Sequence, residues 1–207
     1  MKKLFLGAAI AMSSLTFAQQ FGAKAGVNVS TISDDSDLNQ KSKVGYYAGV
    51  FMNAPIAENF SIQPELIYNN LGSKVYLSEV DVNGTTYRNE YARHLDYITV
   101  PVMFQYNATP NFYLEAGPQF GFLVNAKDKF KNSTNGSTDN ATIVALDKDN
   151  FHTFDFGIGL GAGYYFTPNL GLTARYTAGL SDIMKDNPGD SVKNNVFQVG
   201  LAYKFSK

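Results

Sequence analysis

Cysteine and tryptophan are both absent from this chain of 207 residues. Without cysteine there can be no disulfide, no thiolate metal site and no lipidated N-terminal cysteine. Neither sign of charge is in excess, since 17 Lys and Arg stand against 18 Asp and Glu. That balance argues against nucleic acid as a partner. Beyond residue 19 no apolar run approaches the roughly 18 residues needed for a spanning helix. The aromatic content is carried entirely by 13 Tyr and 16 Phe, alongside 18 Gly.

The start of the chain has its own pattern. Lys2 and Lys3 precede an apolar run from Leu4 to Met12, and Thr16-Phe17-Ala18 places small residues before Gln19. This layout predicts a secretory signal peptide over 1–18, cleaved after Ala18, and a single domain over 19–207.

Within that domain the hydrophobic period is two. From His152 to Phe166 the even positions read His, Phe, Phe, Ile, Leu, Ala, Tyr, Phe, and the odd ones Thr, Asp, Gly, Gly, Gly, Gly, Tyr. Such alternation belongs to a strand with one oily face and one cramped, polar face. Eight segments of this kind are predicted: Phe21–Thr31, Val44–Ala54, Phe60–Asn70, Tyr97–Tyr106, Phe112–Ala126, Phe151–Phe166, Leu170–Ser181 and Val196–Phe205. Short Pro/Asn turns at 55–59, 107–111 and 167–169 alternate with long polar connections at 32–43, 125–150 and 182–195. There is too little complementary chain to bury eight oily faces in a core, so they are expected to meet lipid. The fold expected is all-β: an eight-stranded antiparallel up-and-down transmembrane β-barrel in the outer membrane, with short periplasmic turns and long extracellular loops. Phe60, Tyr106, Phe112, Phe166 and Phe205, beside the short turns or the C-terminus, read as an aromatic girdle at the inner interface.

Facing follows from the period. Ile98, Val100, Val102, Phe104 and Tyr106 are expected outside, with Phe112, Leu114, Ala116, Phe120 and Phe122 on the next segment. Leu170, Leu172, Ala174, Tyr176 and Ala178 follow, then Phe197, Val199, Leu201, Tyr203 and Phe205. Val44–Ala54 loads both faces with Tyr46, Tyr47, Val50 and Phe51, so its polarity is open. The inward set contains Lys24, Arg175 and Lys204 against Glu65, Glu115 and Asp155. A bore of eight strands is only wide enough for side chains to fill it, and a buried charge needs a partner. These six residues are therefore expected to form a polar, structural network plugging the lumen.

One stretch conflicts with simple hairpin geometry. A two-residue turn at Asn83-Gly84 would place Glu79 opposite Arg88 and Tyr76 opposite Tyr91. Carried downward, that register would pair inward Glu65 with outward Val102, which the pleat forbids. Either β-bulges intervene, with Gly72 the candidate, or the turn has three residues.

Three segments carry a resemblance: Phe21 to Asn28, a glycine-rich strand with Gly22 and Gly26; Ser61 to Tyr68, containing Gln63-Pro64-Glu65-Leu66; and Tyr97 to Tyr106, with Tyr97 and Pro101 four apart. Over nearly the whole domain the chain resembles the outer-membrane β-barrel family called PorT-like, or porin-family, proteins. The resemblance implies a shared barrel and no common activity, and the filled lumen argues against conduction. The partners expected are outer-membrane lipid, the barrel-insertion machinery through the C-terminal strand ending at Phe205, and an extracellular or secretion-system protein. The chain is expected to be a monomer.

For chemistry, His94 with Asp96 and His152 with Asp155 are the candidates for a metal or hydrolase site. Two histidines without a third ligand, and no Ser spaced to pair with one, make neither. No catalytic, cofactor or metal residue is assigned. Loop 125–150, with alternating charge signs, reads as solvated chain. The role expected is structural or surface-interactive through the extracellular loops; the alternatives are a small-solute channel and a soluble lipocalin-like carrier with an apolar interior.

Overall fold

A computed structural model describes residues 19–33, 40–80, 86–134, 137–145, 150–185 and 191–205. Nine strands account for most of them: β1 (Gln20–Ser33), β2 (Gln40–Ala57), β3 (Phe60–Val80), β4 (Thr86–Asn107), β5 (Phe112–Thr134), β6 (Ser137–Ala145), β7 (Phe154–Tyr165), β8 (Leu170–Gly179) and β9 (Lys193–Lys204). All pairings are antiparallel, and β1 pairs with both β2 and β9, which closes eight strands into a barrel. Closure removes the edges of these eight strands, the condition a sheet must meet in hydrocarbon, where no water can satisfy a free backbone group. Strand β6 stands outside this circle and pairs only with the outer part of β5.

The faces are inside out relative to a soluble sheet. Leu160 is 67% exposed, while Arg175 and Glu65 are each 3% exposed. Every outward assignment made above for β4, β5, β8 and β9 agrees with the alternation of exposure. The open polarity of β2 is settled too: Val44, Tyr46 and Val50 face out, and Lys43, Tyr47 and Phe51 face in. Inward glycines make the room for these rings. A Cβ on Gly22 would lie 2.2 Å from the Phe51 ring, and one on Gly200 would lie 2.5 Å from the Tyr47 hydroxyl. A lipocalin-like interior is apolar, and this interior, with Lys24, Glu65, Glu115 and Arg175 buried in it, is not.

At the turn end, Thr109 Oγ1 accepts from the Phe112 amide at 3.0 Å and Thr167 Oγ1 from the Leu170 amide at 2.9 Å, which ties down the tight turns. Beside them Phe60, Tyr106, Phe166 and Phe205 are exposed on the outer surface, Phe60 and Tyr106 with ring centroids 5.2 Å apart.

Two expectations are corrected at the other end. Loop 125–150 is not simply solvated chain, because β5 continues through Thr134 and β6 returns along it, extending the sheet beyond the barrel. Alternating charge suits a ribbon with water on both faces as well as it suits a loop. The β3–β4 ribbon runs in one unbroken register from Phe60 opposite Tyr106 to Val80 opposite Thr86, so Glu79 is registered with Tyr87 and Tyr76 with Glu90. No bulge separates β3 from β4, and an odd connection gives the parity required; the turn at 83–84 itself lies outside the described residues. The irregularity occurs on the other side of β3. There the β2–β3 ladder shifts between Ser42 and Tyr47, and Gly72 turns through a φ of +138° beside it. A side chain would be strained at that φ, and a Cβ would also lie 1.9 Å from the Arg93 carbonyl oxygen.

Candidate functional site

The chemistry lies within the bore. Around the barrel the strands run β1, β2, β3, β4, β5, β7, β8, β9, so β1, β3, β5 and β8 are alternate staves, with β3 facing β8 across the axis. Each of these four contributes one buried charge to a single layer: Lys24, Glu65, Glu115 and Arg175. Alternate-strand layering is how narrow barrels fill their interiors.

Arg175 is the hub. Its Nη1 and Nη2 donate to Glu65 Oε2 and Oε1, each at 2.8 Å, and its Nε donates to Glu115 Oε1 at 2.7 Å. Lys24 Nζ donates to Glu65 Oε1 at 2.7 Å. Two cations thus meet two carboxylates, the forked guanidinium gripping one of them with both arms. The remaining carboxylate capacity is used as well: Gln63 Nε2 donates to Glu65 Oε1 at 2.8 Å, and Gln105 Nε2 to Glu115 Oε2 at 3.0 Å. Asn53 Nδ2 joins Gln105 Oε1 and Gln63 Oε1 at 2.8 and 3.2 Å. On the outer side, Gln198 Nε2 donates to Asn69 Oδ1 at 2.7 Å, and Asn69 Nδ2 to Thr99 Oγ1 at 2.8 Å. Charges withdrawn from water are tolerated when neutralised and fully hydrogen-bonded.

Two of the six residues expected in this network stand apart from it. Lys204 lies near the short-turn end, with Nζ 3.8 Å from the centroid of the Tyr165 ring. Asp155 lies toward the outer mouth and accepts from Ser181 Oγ at 2.7 Å and Asn194 Nδ2 at 3.0 Å. Between the clasp and the mouth, Leu71, Thr99, Gln119, Asp155 and Asn194 help line a void of only about 10 Å³, roughly the space of one water.

The mouth is closed differently. Ile32, Leu71, Leu95, Tyr97, Leu123, Phe151, Ile183 and Val196 form one buried apolar cluster. The segment after β8 folds into it: the Ile183 amide donates to the Val192 carbonyl at 2.9 Å, the His152 amide to the Ile183 carbonyl at 3.0 Å, and Phe151 bridges Met184. This seal was not expected from the sequence. Leu71, Leu95 and Leu123 sit on the same period as the inward polar residues, and that odd-numbered apolar set was the available signal.

The histidines do not converge. His94 shares an outward recess with Asp96, whereas His152 is exposed on the segment leading into β7. Among the described residues no group of three metal-ligating side chains occurs.

The sequence profile described as "Outer membrane protein beta-barrel domain" matches residues 17–185. The chain belongs to this family of outer-membrane β-barrel proteins. No curated protein sequence matches this barrel. Solved outer-membrane structures are similar to it in outline. One is Ail, the attachment invasion locus protein of Yersinia pestis, in complex with the heparin analogue sucrose octasulfate (14% identity, 90% of this chain and 99% of that one, TM-score 0.46). Others are the Neisserial surface protein A (16% identity, 89% and 97%, TM-score 0.46) and OprG from Pseudomonas aeruginosa (14% identity, 92% and 97%, TM-score 0.43).

Proposed function

We propose that this is a non-conducting, PorT-like member of the outer-membrane barrel family, a structural protein that makes its contacts through the strands and loops outside the cell. The observation that carries this reading is the doubly occupied bore, with the Arg175–Glu65–Glu115–Lys24 clasp at mid-depth and an apolar cluster at the mouth. A pore selective for small solutes needs a continuous wet path, and side chains occupy that path at both levels. Extension of β3, β4, β5 and β6 beyond the barrel supplies a surface for an extracellular or secretion-system protein. Export under a signal peptide cleaved after Ala18, insertion through the C-terminal strand ending at Phe205 and a monomeric state complete the proposal.

Planar-bilayer recording from purified, heat-modifiable protein tests it. Expected is an unchanged baseline at neutral pH. Regular, solute-sized current steps would replace the structural reading with the small-solute channel.

A further inference from the structure

Outside the barrel wall, beyond the outer edge of the apolar belt that β4 carries from Ile98 to Tyr106, lies an open recess of about 280 Å³. Its lining is Tyr46, Tyr68, Asn70, His94, Asp96, Lys127 and Lys129. Four strands line it, β2 to β5, and register brings the last three together. Asn70 is opposite Asp96, Asp96 is opposite Asn125, and His94 is opposite Lys127. An extra residue in β5 at this level, where the β4–β5 register shifts between Asp96 and Tyr97, turns Asn125, Lys127 and Lys129 to the face that Phe120 and Phe122 occupy lower down.

The single acid of the described lining is already engaged. Asp96 accepts from Asn70 Nδ2 through Oδ1 and from Asn125 Nδ2 at 2.9 Å through Oδ2, and the Tyr68 hydroxyl bonds to it as well. Lys43, at the break in the β2–β3 ladder, donates to Asn70 Oδ1 and, at 2.9 Å, to the Leu71 carbonyl. Its charge offsets that of Asp96. What remains facing the opening is two ammonium groups, an imidazole and two phenol rings, Tyr46 and Tyr68, whose centroids are 6.0 Å apart. The surplus is positive, and at His94 it adds to the effect of burial. Desolvation, then the charges of Lys43 and Lys127, with Lys129 adding to them and Asp96 opposing, push its imidazole down to about 4.

We propose that this recess binds the phosphate group of an outer-leaflet lipid, with Lys127 and Lys129 pairing the phosphate, His94 beside it and Tyr46 and Tyr68 flanking the headgroup. A lipid is favoured over a soluble anion by where the opening lies. It faces sideways, directly beyond the exposed Leu66 and the outward Ile98 and Phe122, so a phosphate seated there would have its acyl chains along the apolar wall.

The test uses full-length protein in lipid nanodiscs and reads the His94 titration by NMR; with only two histidines in the chain, the variant His152→Gln assigns the signal. Nearby negative charge favours the imidazolium. Nanodiscs of phosphatidylcholine with phosphatidic acid should therefore raise the His94 midpoint by about one to three units over phosphatidylcholine alone. The rise should vanish in Lys127→Gln/Lys129→Gln, whose altered residues lie beyond the barrel wall and whose folding is checked by heat-modifiable migration. Inorganic phosphate added to plain phosphatidylcholine discs should not reproduce it. An unmoved midpoint, or a rise that survives the double variant, overturns the site. An equal rise with inorganic phosphate overturns the lipid as its occupant.

Discussion

Arg175 alone bonds both carboxylates of the clasp, through three of its nitrogens. Replacing it with Ala leaves Glu65 and Glu115 buried with only Lys24, Gln63 and Gln105 as donors, and removing one member of a buried ion pair costs about 3–5 kcal/mol. Arg175→Ala is expected to unfold at markedly lower urea concentration than the parent, read as loss of the heat-modifiable gel band. Lys204→Ala provides the comparison. Its ammonium meets a ring face and, among the described residues, no carboxylate, a contact worth about 0.5–2 kcal/mol, so its transition should lie close to the parent's. If the two variants behaved alike, the clasp would not be the stabilising element that its geometry describes.

Among the strands, β6 differs from the rest because its only partner is the outer part of β5. Replacing 132–145 by a short Gly-Ser turn is expected to leave the barrel's heat-modifiable shift intact, since the pairings it removes within the eight-strand circle are the last three between β4 and β5, Asn89 with Asn132, Arg88 with Ser133 and Tyr87 with Thr134, at the far end of the ribbon. Loss of the shift would make the ribbon part of the folding unit. The eight barrel strands were legible from sequence because a period of two against lipid is a strong pattern, and Ile158, Leu160, Val199 and Leu201 leave no ambiguity of face. Strand ends were less legible. Above the apolar belt β3, β4 and β5 continue as paired ribbons, where a mixed polar and charged sequence no longer carries the alternation that announces a strand against lipid. The inward direction of Tyr47 and Phe51 depended on glycines of neighbouring strands, which a one-strand reading cannot see. The same holds for the clasp. Residue type and parity brought Lys24, Glu65, Glu115 and Arg175 into the bore, but stagger around the barrel set which charges share a level, and that left Asp155 and Lys204 at opposite ends.

For the molecule as a whole, the bore is blocked by two unlike barriers in series. The clasp is ionic and the mouth cluster apolar; β1, β3 and β5 contribute to both, with different residues at different levels. Arg175→Ala by itself should thus remain silent in planar bilayers, while Arg175→Ala combined with Ile183→Asp, which drives a charge into the mouth cluster, should pass current. Conduction by the single variant would show that the mouth is no barrier.

The seam between β1 and β9 joins the two ends of the domain, from Gly22 beside Lys204 to Ser33 beside Lys193. Its contacts have the longest loop to close of any pair in the sheet, and loop entropy makes such contacts late and slow. Until the final stave arrives, the first strand's amides and carbonyls have no place in hydrocarbon. A chain that has not yet closed this seam carries unpaired backbone groups along two edges, so closing the ring and entering lipid have to come together.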